Sequence, residues 1–163
     1  MNNELIISNA ALAERLVRLC AEKNIKISTA ESCTGGLISA YITSVSGSSE
    51  VFDGALVSYA NRIKAGFLGV TDEVIAVKGV VSGECVDQMA SGALKMFDAD
   101  IALAVSGIAG PGGGSDEKPV GTVYICVKYG EKVTNKRYNF DGDRDSVRQQ
   151  TAHAALSDAL DLI

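Results

Sequence analysis

A hydroxyl and an amine that could act together stand thirty-two residues apart in this chain of 163. Ser32 lies in the run Glu31-Ser32-Cys33-Thr34-Gly35-Gly36, and Lys64 ends the run Tyr59-Ala60-Asn61-Arg62-Ile63-Lys64. A serine hydroxyl is a weak nucleophile until a base takes its proton. The one histidine, His153, sits among alanines near the C-terminal end, which leaves lysine as the base to consider. For that role the amine must be uncharged, so its pKa has to fall well below about 10.4 through burial or a neighbouring cation such as Arg62.

Each of these residues also has a plainer reading. Ser32 and Thr34 are good helix caps, and Gly35 and Gly36 suit close packing of a strand on the helix that follows it. An isolated lysine is ordinarily a solvated helix residue, and a cysteine such as Cys33 is more often buried than reactive. His153 reads as a packed or exposed residue of the last helix.

A third polar cluster is Ser106-Gly107-Ile108-Ala109-Gly110-Pro111-Gly112-Gly113, continuing through Ser115-Asp116-Glu117-Lys118-Pro119. Its glycines can present backbone N–H groups to a phosphate or to a developing oxyanion. It is neither a GxGxxG dinucleotide fingerprint nor a P-loop, which would end in GK[ST]. Asp116 and Glu117 read as solvated loop charge rather than a metal site. Arg144 and Arg148 are four apart and share one helix face. They either pair with Asp143 and Asp145 or form a fork for a phosphate, to which guanidinium gives two parallel hydrogen bonds.

The elements that must position these groups follow from periodicity. Leu12, Leu16, Leu19 and Cys20 predict a first helix behind the caps Ser8 and Asn9, ending near Lys23 or Asn24. Ile25 to Ala30 reads as a strand, Leu37 to Val45 as a helix, and Phe52 to Tyr59 as a strand running into a helix that carries Lys64. A helix from Ser82 to Phe97 precedes the nearly unbroken apolar strand Ile101 to Ser106, as expected where helices cover both sheet faces. Residues 120–129 and 133–140 read as antiparallel strands turning at Gly130-Glu131, and a last helix starts near Asp143. The architecture expected is α/β: a single three-layer α/β/α domain over residues 1–163, with a mixed sheet of about five strands. In such sheets ligands bind beyond the carboxyl ends of strands. Ser32 and Lys64 are separated by about one strand-helix-strand unit, roughly 30 or more residues, so adjacent parallel strands would bring them together.

Composition narrows the function classes. With 47% apolar and 21% charged residues, the chain is an ordinary globular sequence without a membrane span. The N-terminal residues do not read as a secretory signal, so the cytoplasm is the expected compartment. A net charge of −5 disfavours a nucleic-acid surface. Cys20, Cys33, Cys85 and Cys126 are scattered, which argues against both zinc and a disulfide framework. No cofactor is expected.

The words TAESCTGG (Thr29 to Gly36), GSS (Gly47 to Ser49), VSYANRIK (Val57 to Lys64), VSGIAGPGGGSDEKPVGTVY (Val105 to Tyr124) and GDRDSVR (Gly142 to Arg148) cover nearly the whole chain. In this order they resemble the C-terminal domain of the competence/damage-inducible protein CinA and the stand-alone nicotinamide-nucleotide amidohydrolases. The resemblance implies conversion of nicotinamide mononucleotide to nicotinate mononucleotide and ammonia by a serine/lysine pair without metal. It implies Lys64 as the base and Tyr59 as a neighbour in the site, to hydrogen-bond the lysine or face the cationic pyridinium ring, with Ser32 and Ser49 competing as nucleophile. Ser32 is favoured because it should sit at a strand's carboxyl end, whereas Ser49 precedes its strand. Glu31, Thr34, Gly35, Gly36, Ser106, Gly107, Gly110, Arg144 and Arg148 are then the candidate substrate-binding residues. A homo-oligomer is a family-level expectation, and the N-terminal molybdopterin-binding-like domain of full-length CinA proteins would be lacking. Rival readings are a non-catalytic nucleotide-binding or regulatory module, and an amidase for another small amide.

Overall fold

The computed structural model describes residues 2–163. In chain order the elements are α1 (Asn2–Lys23), β1 (Ile27–Glu31), α2 (Leu37–Thr43), β2 (Phe52–Val57), α3 (Asn61–Leu68), α4 (Gly83–Phe97), β3 (Ile101–Gly107), β4 (Thr122–Tyr129), β5 (Lys132–Asn139) and α5 (Arg144–Leu162). A 3₁₀ turn at Ser48–Glu50 leads into β2, and a π-helical turn at Val74–Lys78 lies between α3 and α4.

The strands form one five-stranded sheet in the order β2-β1-β3-β4-β5. β1 pairs in parallel with β2 and β3, while β3, β4 and β5 pair antiparallel. The mixed α/β/α architecture expected from the sequence is therefore the one observed.

β3 shows how the layers are specified. Its alternate residues Ile101, Leu103 and Val105 pack under α1, α2 and α5, whereas Ala102 and Ala104 face α4. All are fully buried. The bulky face packs into the larger of the two core clusters at roughly 1.5–3 kcal/mol per large side chain removed from water. The alanine face lets α4 lie close to the sheet. Contact between α3 and α4 is closer still: a Cβ on Gly92 would lie 2.1 Å from the carbonyl oxygen of Leu68.

Several boundaries differ from expectation. Ser8 and Asn9 do not start α1, which begins at Asn2. Asn9 is buried inside the helix, where its amide donates to the Gln149 carbonyl at 3.1 Å and its Oδ1 lies 3.0 Å from His153 Nδ1. Its polarity serves a crosslink between α1 and α5 rather than a cap. Likewise Ser32 and Thr34 do not cap α2: the cap position is Gly36, at φ 96°, with no side-chain cap hydrogen bond. By contrast, Ser82 and Asp143 do cap α4 and α5, accepting from the N–H groups of Cys85 and Ser146. Among the described residues no helix is long and apolar enough to cross a membrane.

Candidate active site

Parallel pairing of β1 with β2 sets the register Glu31 opposite Val57, so the two strands end side by side. Ser32 continues the line of β1, its N–H donating to the Val105 carbonyl of β3 at 3.1 Å. Ser58 does the same beyond β2, its N–H donating to the Glu31 carbonyl at 2.8 Å. α3 then turns back and sends Lys64 inward.

Lys64 is 1% exposed. Its Nζ lies 3.0 Å from Ser32 Oγ and donates a second hydrogen bond to the Ser58 carbonyl. Burial pushes the amine below its ordinary pKa of 10.5, while the nearby Cys85 and Cys33 pull the other way. Burial is thus the cause, and a cation such as Arg62 is not needed. The Ser58 carbonyl can only accept, so an uncharged amine spends one N–H there and turns its lone pair to the Ser32 hydroxyl. Ser58 was not a candidate from the sequence; a backbone acceptor leaves no mark in residue type.

Ser32, Cys33, Tyr59, Gly107, Ala109 and Arg144 line a cleft of about 210 Å³ over this pair. Arg144 reaches across its mouth from the start of α5, donating to the Gly110 carbonyl at 2.8 Å and the Tyr59 hydroxyl at 2.9 Å. Tyr59, which is exposed, therefore meets Arg144 rather than Lys64. A larger cleft of about 440 Å³, lined by Val74, Gly83, Glu84, Asp87, Gln88 and Asn135, contains neither serine nor lysine, so volume does not mark the chemistry.

Several sequence candidates lie outside the cleft. Glu31 is fully buried, and its carboxylate is spent on the turn that follows it. The Thr34 hydroxyl is buried there too, donating to Glu31 at 2.7 Å. Gly35 and Gly36 shape the turn at φ 62° and 96°, where a side chain would strain the backbone. Ser106 faces the α4 layer and donates to the Val80 carbonyl at 2.7 Å, because its neighbour Val105 takes the opposite face. Arg148 donates to the Thr34 carbonyl at 2.8 Å and stands 3.8 Å from Asp145, so it braces the turn from α5. Ser49 is exposed in the 3₁₀ turn before β2, at the other end of the parallel strands. Cys33 lines the cleft, but burial pushes its thiol up to about 12, a poor nucleophile near neutrality. Asp116 and Glu117 are exposed in the glycine loop.

Comparison with known proteins gives concordant results. A family model described as the CinA C-terminal domain matches residues 9–163. A CinA-like protein of Thermotoga sp. (strain RQ2) is 45% identical over 92% of this chain and 36% of its own length. A CinA-like protein of Geobacter sulfurreducens is 50% identical over 86% of the chain and 34% of its own. The chain thus spans about a third of the length of these curated relatives. Among solved structures, the competence/damage inducible protein CihA from Agrobacterium tumefaciens superposes with a TM-score of 0.93 at 41% identity, covering 95% of both chains. A CinA superfamily protein from Klebsiella pneumoniae superposes with a TM-score of 0.89 at 34% identity, over 93% of this chain and 94% of its own. With a family model matching residues 9–163 and relatives 45–50% identical over most of its length, the chain belongs to the CinA C-terminal domain family.

Proposed function

We propose that the chain is an amidohydrolase that converts nicotinamide mononucleotide to nicotinate mononucleotide and ammonia, with Ser32 as nucleophile and Lys64 as general base. The observation that carries this reading is the 3.0 Å approach of a buried lysine amine to a serine hydroxyl under an open cleft. Surface lysines are charged and cannot take a proton; this one is held in the environment that favours its uncharged form.

In the reaction, Lys64 accepts the Ser32 proton as Oγ attacks the carboxamide carbon. The oxyanion is received by main-chain N–H groups of the turn after Ser32, where those of Cys33 and Thr34 donate to no backbone carbonyl among the described residues, or by those of the glycine loop at Gly107 to Gly110. The protonated amine then gives its proton to the departing ammonia. Water, deprotonated by Lys64 in its turn, attacks the acyl-enzyme and restores Ser32. The ring of Tyr59 supplies a face for the cationic pyridinium, and Arg144 at the cleft mouth supplies donors for the phosphate.

The test is to mix chelator-treated protein with nicotinamide mononucleotide and measure ammonia. Release that is lost in Ser32→Ala supports the reading. Binding of the mononucleotide by calorimetry with no product contradicts it and leaves a binding module. Ammonia from glutamine or free nicotinamide alone keeps the chemistry and changes the substrate.

A further inference from the structure

Glu31 is a carboxylate buried completely at the end of β1, immediately before Ser32. Oε2 accepts from the Thr34 hydroxyl at 2.7 Å, the Gly36 N–H at 3.0 Å and the Ile38 N–H at 3.1 Å. Oε1 accepts from the Ser39 N–H at 2.8 Å, the Ser39 hydroxyl, and the Thr29 hydroxyl at 3.2 Å. Every one of these donors is neutral. The first turn of α2 leaves several N–H groups without a helical partner, and Gly36 at the cap position has no side chain to serve them. Glu31 serves them from the preceding strand.

The connection has a geometric consequence. Alternation along β1 sends Glu31 and Thr29 to the α2 side, so the next residue, Ser32, turns its hydroxyl to the side from which Lys64 arrives. The other bonds of the chain between Ser32 and Gly36 are the Ser32 N–H to the Val105 carbonyl at 3.1 Å, the Gly35 N–H to the Ser32 carbonyl at 3.1 Å, Arg148 and the Leu37 N–H to the Thr34 carbonyl at 2.8 and 3.3 Å, and the Ala40 N–H to the Gly36 carbonyl at 2.9 Å. Among the described residues only Glu31 joins the start of α2 to the end of β1 through a side chain that accepts at both oxygens. Three of Glu31's donors belong to α2, and another, Thr34, belongs to the turn itself.

We infer that Glu31 is a positioning residue for the nucleophile: its carboxyl group ties the start of α2 to the end of β1 and so fixes Ser32 Oγ against Lys64. The inference rests on the serine/lysine reading of the site and not on the identity of the amide. Glu31 never meets substrate. It acts by holding the turn, and both oxygens are needed as acceptors: an amide replaces one of them by a donor that faces N–H groups.

The test compares wild type, Glu31→Gln and Ser39→Ala in two assays: steady-state ammonia release from nicotinamide mononucleotide, and the rate at which a fluorophosphonate labels Ser32. A misplacement of about 1 Å can cost on the order of 10²-fold in rate. Glu31→Gln is therefore expected to lower kcat and the labelling rate together by about 10²-fold, with KM near wild type and a native circular dichroism spectrum. Ser39→Ala, which removes one donor to the same carboxylate from outside the turn, should show a smaller loss of the same pattern. Wild-type kcat and labelling in Glu31→Gln would overturn the inference, and so would a rise in KM alone, which would make the carboxylate a substrate contact. Should Glu31→Gln fail to fold, unchanged labelling in Ser39→Ala overturns it. Labelling of wild-type Ser32 without ammonia release would sink the nucleotide assignment while the labelling ratio still decides the role of Glu31.

Discussion

The two ends of the parallel strands each carry a serine beside a tight turn, and they are opposites. At the carboxyl end, Ser32 is half-buried, faces a lysine that is 1% exposed and opens on a cleft. At the amino end of β2, Ser49 is exposed in a 3₁₀ turn. A lysine on that turn, Lys26, has its side chain 42% exposed, donating to the Glu50 carbonyl at 2.8 Å and reaching Asp53 at 3.5 Å. A serine and a lysine near one another are therefore not enough. What separates the ends is solvent: Lys26 stands in water beside a carboxylate, whereas Lys64 is buried and given a carbonyl and a hydroxyl.

The sharpest way to break that comparison is Lys64→Met, which keeps the length of the side chain and removes the base. It should lower kcat for ammonia release by at least about 10³-fold, within the range a positioned general base contributes, and steady-state kinetics of the folded variant would show it. Arg144→Ala comes next. Losing charge-assisted hydrogen bonds of about 1.5–3 kcal/mol should raise KM for the mononucleotide roughly 10- to 100-fold. The same variant should leave KM for an amide lacking the phosphate almost unchanged, so paired KM measurements separate anion binding from a general loss of the Tyr59 contact. The smallest effect belongs to Ser49→Ala. Kinetics within error of wild type are expected, and a large loss there would move the chemistry to the amino end of the sheet.

The fold was legible because its signals are local and repeated. β3 reads as an unbroken apolar run, the hairpin turns at Gly130, and the 32-residue spacing of Ser32 and Lys64 matches one strand-helix-strand unit whose strands do lie side by side. The candidate site was legible only in part. The direction of Ser106 is not legible from residue type, because its face depends on the phase of β3 and one step along a strand reverses the side chain. Glu31 enters the candidate list through the resemblance; its burial and its partners on α2 are tertiary facts. Asn9 misled for a related reason, since the same polarity that caps helices also satisfies buried crosslinks. The Ser58 carbonyl, which completes the lysine's surroundings, is common to all residue types and has no sequence signature.

The account stands on an uncharged amine at residue 64, and the direct measurement is an NMR titration of the Lys64 side-chain nitrogen in the folded protein. Burial lowers its pKa from the ordinary 10.5. Between the lowered value and 10.5 the unfolded chain holds a proton that the folded one has released, so stability contributed by this residue is lost below that window and rises with pH through it. The predicted result is a Lys64 resonance that titrates below the other lysines and is shifted by Ser32→Ala, together with a rise of wild-type stability across the window that Lys64→Met lacks. A Lys64 amine that stays protonated up to 10.5 or beyond would contradict the account.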